Sequence, residues 1–349
     1  MYLAGHGQRG EALADATIEL WGQEALAAGE LAGLLDGRPR PVRVVVTSCF
    51  SGGFAELAFA AADAERRRPA AGRCGLFAAT AEREASGCDP NPDRAAQEGY
   101  GLHFLQALQG RDRAGAVAAI DLDGDGKVSL LEAHARARIA SAGIDVPTST
   151  SERWLRATPG LRGRAAESAA ATELLREESI VIAALAEQLG LVGREGEAAG
   201  LLRAVEEDMA EVTGRIDQAS ADEDAAYRRT AAELLARWPV LDDAWHPEFV
   251  AMLTAEREAI AAALASSAGY REYKAARAVV EAAQAEQAAL LARGARLERL
   301  VRAVETRTLA QLSARRGGAD WDEYVALVEC ERWVPADPVV KNPKDIYAK

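Results

Sequence analysis

The chain has 349 residues, more than one ordinary domain needs, and 49% of them are hydrophobic while only 5% are aromatic, so two domains with an alanine- and leucine-rich, helix-prone core are expected. Its formal net charge of −13 lacks the basic surface a nucleic-acid partner requires, and no apolar run approaches the roughly 20 residues of a membrane-spanning helix. Four cysteines, Cys49, Cys74, Cys88 and Cys330, are too sparse for a disulfide scaffold, and the opening MYLAGHGQRG carries no signal segment, so localisation stays open.

Tyr2, Leu3 and Ala4 read as the end of a strand and lead at once into Gly5-His6-Gly7, where an unhindered histidine suits an exposed general base. Residues 11–35 read as helical or mixed, with Leu20, Trp21, Leu26, Leu31, Leu34 and Leu35 expected inside. Asp36 to Pro41 breaks the chain before Val42, Val44, Val45 and Val46, a β-branched run suited to the centre of a parallel sheet. That strand ends at Cys49. Ser48, Ser51, Gly52 and Gly53 are expected to leave space around the thiol and let backbone N–H groups approach what it attacks. Phe50 to Arg68 reads as a helix, which makes Cys49 part of a strand-to-helix turn of the kind where α/β enzymes place catalytic groups. Cys74 to Thr80 is a second short apolar strand, followed by a polar loop rich in carboxylates. Leu102, Leu105 and Leu108 then mark a helix packing back on the sheet. Cys74 and Cys88 read as a strand cysteine and a loop cysteine, matching neither a disulfide nor a zinc pattern. His103, His134 and His246 read as surface or packing residues.

Asp121 to Glu132, DLDGDGKVSLLE, matches a twelve-residue calcium loop position by position. Asp121, Asp123 and Asp125 stand at positions 1, 3 and 5, Gly126 gives the turn, Lys127 offers its carbonyl, Ser129 sits at 9, and Glu132 closes the loop with a bidentate carboxylate. Ca²⁺ here is expected to be structural, with no part in catalysis. The alternative is a tight acidic turn that caps the next helix without an ion.

From Arg164 to about Leu312 the composition shifts to Ala, Glu, Arg and Leu. Leu202, Val205, Met209, Val212 and Ile216 step by three and four, and Leu290, Leu297, Val301, Val304, Thr308 and Leu312 continue the pattern, predicting an antiparallel helical hairpin, coiled coil or small bundle. Pro239 and Trp245-His246-Pro247 break the run. The expected organisation is an α/β domain over 1–150, a long-helix region over 164–313 and a tail over 314–349.

The order and gap of His6 and Cys49, each at an apparent strand end, are close to the roughly fifty residues that separate the caspase His and Cys. AGHGQRG and VVTSCFSGGF together resemble the caspase-like cysteine peptidases, and the legumain family most among them. The caspase Gln-Ala before the cysteine is absent, as is the metacaspase Asp-Ser; Thr47-Ser48 stands there. Ala79-Thr80-Ala81 running to Cys88 resembles the legumain-type pocket segment, and Tyr100 to Leu105 an altered form of the family's Gly-x-Phe-Thr helix. The resemblance covers about residues 1–145.

It implies a three-layer caspase-like α/β domain and a thiol protease, with Cys49 the nucleophile, His6 the general base, and the N–H groups of Gly7 and Cys49 the oxyanion hole. The implied partner is a protein or peptide substrate. Glu84, Ser86 and Asp89 would line its pocket, where a buried carboxylate favours arginine or lysine before the cut and a legumain-like pocket asparagine or aspartate. The resemblance also implies further strands upstream of His6, so a fragment, or a degenerate inactive chain, is one expectation. The competing function is a non-catalytic scaffold that binds a protein partner or itself through its long helices.

Overall fold

The computed structural model describes residues 1–22, 24–87, 98–112, 114–163 and 168–335. The chain is a mixed α/β protein dominated by helices. Its strands are β1 (Tyr2–Leu3), β2 (Gly7–Gln8), β3 (Thr17–Glu19), β4 (Ala25–Ala27), β5 (Val42–Val46), β6 (Arg73–Phe77) and β7 (Thr148–Ser149). The helices are α1 (Ala28–Leu35), α2 (Tyr100–Leu108), α3 (Leu130–Ala140), α4 (Thr150–Ala157), α5 (Ala169–Leu174), α6 (Arg176–Leu189), α7 (Ala198–Arg237), α8 (Phe249–Ala255), α9 (Arg257–Ser266), α10 (Ala268–Arg316) and α11 (Ala319–Glu331).

The Val42 run forms β5, paired in parallel with β1 on one side and β6 on the other, while β7 closes the sheet antiparallel to β6. Because successive side chains of a strand point to opposite faces, β5 and β6 feed two cores. Val45 and Leu76 pack with Tyr100 and Phe104 of α2 and with Leu130, Ala133 and Ala137 of α3. On the other face Val44, Val46 and Phe77 meet Leu31 of α1, Ile18, Phe54 and Leu57. Apolar cover on both faces explains why the strand reads as a nearly continuous valine run, broken only by Arg43.

Residues 11–35 are only partly helical. β2, β3 and β4 form a separate antiparallel sheet, and the helix begins at Ala28. Leu31 is buried, but Trp21 is fully exposed, because it sits in the β3–β4 turn where the Leu20 N–H donates to the Glu24 carbonyl; Leu20 and Leu34 are exposed as well.

The segment after Cys49 departs further from expectation. It forms two 3₁₀ stretches, Ser51–Ala58 and Ala60–Ala62, with positive φ at Phe50, Ala61, Ala62 and Arg67. The end of this segment is held by a residue downstream, Arg73 of β6. Its buried guanidinium donates to the carbonyls of Leu57, Phe59 and Ala32 and to Asp36 Oδ1, all at 2.7–2.8 Å. The Ala58 carbonyl is also taken, by the Ala70 N–H at 3.1 Å. The carbonyls of residues 57–59 are thus held from outside, which fixes the end of the segment.

A third apolar cluster surrounds Cys74, with Phe59, Trp154, Leu155, Tyr324, Leu327 and Val328. Here Cys74 of β6 is joined to Cys330 of α11 by a disulfide, with Cα atoms 6.1 Å apart and a sequence separation of 256. The strand placement of Cys74 agrees with its sequence; its disulfide does not, since Cys74 was expected to remain unpaired and the fold brings Cys330 to it from the far end of the chain. Next to the disulfide, the buried Glu331 carboxylate accepts from Thr150 Oγ1 and from the Ser151 N–H and Oγ at 2.7–2.8 Å.

The chain divides into two compact units. One comprises the residues up to Leu202 together with those from Gly294 onward; the other is Arg203–Arg293. Within the second unit α7 and α10 run antiparallel. Thr213 and Arg215 meet Gln287 and Glu286, and further along α7 Glu223 and Arg229 meet Arg277 and Glu272. Val205, Val212, Ala219 and Ala226 form the buried stripe of α7, continuing the seven-residue step read from Val205 and Val212.

Candidate functional site

β1 and β5 are adjacent parallel strands in register Leu3↔Val46, so the turns that follow them, bearing His6 and Cys49, emerge at one end of the sheet. The Thr47 N–H donates to the Leu3 carbonyl at 3.0 Å, and the His6 carbonyl accepts from the Glu19 N–H of β3 at 2.9 Å. Both side chains line one cleft of about 420 Å³, together with Tyr2, Ser86, Glu98 and Tyr100. The two turns touch at backbone level. A Cβ on Gly7 would lie 2.2 Å from the Cys49 carbonyl oxygen, so only glycine permits this approach.

Cys49 is half-buried and is the one free cysteine among the described residues. Its Sγ accepts from the Ala85 N–H at 3.3 Å and donates to the Ala85 carbonyl at 3.7 Å. Among the described residues the Cys49 N–H donates to no acceptor. Phe50, the next residue, has φ +57°, a left-handed backbone that is costly for a non-glycine residue and is held here by its N–H donating to the Arg83 carbonyl at 2.8 Å.

Gly52 and Gly53 do not open space beside the thiol, as their sequence suggested. Both are buried, Gly52 against the backbone of Thr80 and Ala81 and Gly53 against Leu13 and Ala16. They let the post-cysteine segment pack flush against its neighbours. Ser51 does similar work, its buried Oγ accepting from the Ala79 N–H at 3.1 Å.

Of the residues expected to form the substrate pocket, Ser86 lines the cleft; Glu84 is exposed and outside the lining; Asp89 lies outside the described residues, as do Cys88 and Asp93. The carboxylate that does line the cleft is Glu98, whose Oε2 lies 2.6 Å from His103 Nε2. The cleft wall is organised by Asp145, a fully buried side chain that accepts from the Ser86 and Tyr100 N–H groups at 2.6 Å each. Burial raises the Asp145 carboxyl above its ordinary range, and those two N–H donors oppose the rise. Neither residue was singled out from the sequence, although an aspartate inside the apolar run Ile144-Asp145-Val146 is the kind of signal that marks a buried, hydrogen-bonded carboxylate. His134 is a packing residue, buried with its Nδ1 2.8 Å from the Tyr100 hydroxyl and pushed down to about 3, first by burial and then by Arg138.

In the acidic loop, Asp121, Asp123 and Glu132 bring ligand oxygens within 4.8 Å of one another. Asp121 accepts from the N–H groups of Gly124, Asp125 and Gly126, while Asp125 Oδ1 turns to the Lys127 N–H at 2.8 Å. Gly126 has φ +83°, the left-handed turn that position 6 of such a loop requires. Ser129 caps α3, its Oγ accepting from the Glu132 N–H at 3.2 Å, while Glu132 Oε2 accepts from the Ser129 N–H at 2.8 Å. Glu132 Oε1 accepts from the Leu122 N–H at 2.6 Å. The residues present suit a hard cation bound through oxygen, and the loop is shaped by its own backbone donors.

Compared with models of protein families, with curated proteins and with solved structures, the chain matches none.

Proposed function

We propose that this chain is a cysteine endopeptidase with a caspase-like, legumain-type active site. The observation that carries the reading is that Cys49 and His6, delivered by adjacent parallel strands, line the same cleft. In the proposed reaction His6 takes the Cys49 proton and the sulfur attacks a peptide carbonyl. The carbonyl oxygen becomes an oxyanion received by the N–H groups of Gly7 and Cys49, a type of interaction worth ~10²- to 10³-fold in rate. The imidazolium then protonates the leaving amine, and water releases the acyl group and regenerates the thiol. Ser86 and Glu98 are the polar groups offered to the residue before the cut. The test is labelling by a peptidyl electrophile, with a peptide library for specificity. Loss of labelling in Cys49→Ala and a strong reduction in His6→Ala are expected; equal labelling of wild type and Cys49→Ala ends the reading.

Within the same proposal the 121–132 loop holds Ca²⁺ through Asp121, Asp123, Asp125, the Lys127 carbonyl, Ser129 and Glu132, as a structural ion. Calorimetric titration with CaCl₂ tests it, and absence of saturable binding, or binding undiminished in Asp121→Asn, overturns it.

A second reading is favoured by the exposed apolar side chains of the Arg203–Arg293 unit, among them Trp245, Val250 and Tyr227. Here the helical hairpin mediates protein association or self-association and the caspase-like part is catalytically silent. Sedimentation of wild type and of the double variant His6→Ala/Cys49→Ala tests it: concentration-dependent association identical in both, with no labelling in either, favours the scaffold.

A further inference from the structure

A second cavity, of about 600 Å³, opens among α2, α3, α6 and α10 and is lined by Glu98, His103, Arg111, Asp112, Arg136 and Arg296, with Gln188 at one wall. We propose that it binds a small phosphate-bearing anion. Its volume lies within the roughly 300–1,000 Å³ typical of small-molecule sites, larger than a single inorganic ion needs.

The argument rests on its arginines. Arg111 comes from the loop after α2, Arg136 from α3 and Arg296 from α10, so three separate elements aim guanidinium groups at one space. Elsewhere in the same unit several arginines that leave the solvent are matched to carboxylates, among them Arg138 with Glu178, Arg153 with Glu56, Arg302 with Glu152 and Arg332 with Glu177. Among the described residues Arg111, Arg136 and Arg296 have no such partner, and the buried Nε of Arg296 has no hydrogen-bond acceptor. In a chain of net charge −13, three arginines around one cavity with no carboxylate partner among the described residues are a local concentration of positive charge.

The wall behind them carries the same excess. Arg299, one turn along α10 from Arg296, is buried, and its Nη1 donates to the Arg138 and Ser141 carbonyls at 2.7 and 3.0 Å. Its Nη2 has no acceptor. Burial first, and then the neighbouring Arg296, pushes this guanidinium down to about 10; Asp145 opposes the shift, and Arg138 and Arg83 add to it. Among the described residues, positive charge is concentrated on this wall.

Two carboxylates also line the cavity, and both are engaged. Glu98 lies on His103, and Asp112 Oδ1 accepts from the Ala116 N–H at 2.9 Å. Their charge opposes any bound anion, so a phosphate-bearing ligand must be held by the arginines. Planar guanidinium forks meet phosphate oxygens in pairs, which gives such a ligand both geometry and charge complement.

Calorimetric titration of the full chain tests the site with two probes, inorganic pyrophosphate and glucose 6-phosphate, at low and moderate salt. Saturable binding is expected, weakened roughly tenfold or more in Arg136→Gln and in Arg296→Gln and unchanged in Arg40→Gln on an exposed loop. Glu98→Gln should strengthen it. Tighter binding of the sugar phosphate assigns an organic phosphate ester as the ligand, and tighter binding of pyrophosphate assigns free polyphosphate. Circular-dichroism melts accompany each variant, so that lost binding is separated from lost fold. No saturable binding of either probe, or affinities equal in Arg136→Gln, Arg296→Gln and Arg40→Gln, overturns the proposal.

Discussion

Gly7 and Cys49 meet without side chains between them: a Cβ at Gly7 would stand 2.2 Å from the Cys49 carbonyl oxygen and 2.8 Å from Ser48 Oγ. Gly7→Ala must therefore push the histidine-bearing turn away from the cysteine-bearing one. A loss of ~1–3 kcal/mol is expected from overpacking alone, read as a lower denaturation midpoint. Gly33→Ala on α1, where a Cβ meets nothing within 4 Å, is the control and should be neutral or stabilising. If Gly7→Ala melts like wild type, the contact is not as tight as described.

The Cys74–Cys330 bridge ties β6 to the last helix. Cys330→Ser should lower stability by ~2–5 kcal/mol, and wild type treated with reductant should melt like the variant. Peptide mapping without reduction should recover the two cysteines in one linked species; recovery of both as free thiols would count against the pairing.

Arg73 is a buried cation with one carboxylate and three carbonyl partners. Arg73→Met removes the charge and leaves the Leu57, Phe59 and Ala32 carbonyls without this donor. A cost of ~3–5 kcal/mol is expected. Hydrogen exchange should accelerate in residues 51–62 first, and uniform protection there would contradict the role given to Arg73.

Burial raises the Glu331 carboxyl to about 7 from an ordinary 4.5, against the opposing hydrogen bonds of Ser151 and Thr150. The folded chain thus keeps a proton that the unfolded chain releases. Stability from this group is present below about pH 4.5 and is lost as pH rises toward 7, by an amount on the order of 3 kcal/mol. His134, held neutral by burial and pushed down to about 3, works in the reverse sense and costs stability as pH falls below 6.5. Denaturant curves of wild type and Glu331→Gln between pH 4.5 and 7.5 separate the two: their difference should shrink or change sign as pH rises, and a pH-independent difference would remove Glu331 as the titrating group.

What the sequence made legible follows from local physics. Val42 to Val46 could be read as a buried central strand because β-branched residues with two covered faces leave a nearly continuous apolar run, broken here only by Arg43, and the antiparallel long helices could be read from the steps of three and four that place Val205 and Val212 on one face. The segment after Cys49 could not, because Gly52 and Gly53 pack closely against Ala81 and Ala16 and Arg73 holds its end carbonyls, contacts that are remote in sequence. Trp21 illustrates the same limit at the surface: hydrophobicity suggested burial, but the tip of a two-strand turn has nothing to bury it against. In the cleft, His6, Cys49 and Ser86 carried recognisable neighbours. Glu98 and Asp145 did not, since their significance lies in which N–H groups and cavities three-dimensional folding brings to them.

The bond between Cys74 and Cys330 makes a covalent ring of everything from β6 to α11, and the whole Arg203–Arg293 unit is an excursion within that ring. A protease that nicked the chain once between α7 and α8 would separate no fragments. The nicked molecule would migrate as one species until reduced and then as two, so an interior cut would alter the helical unit's continuity without detaching either half of the chain.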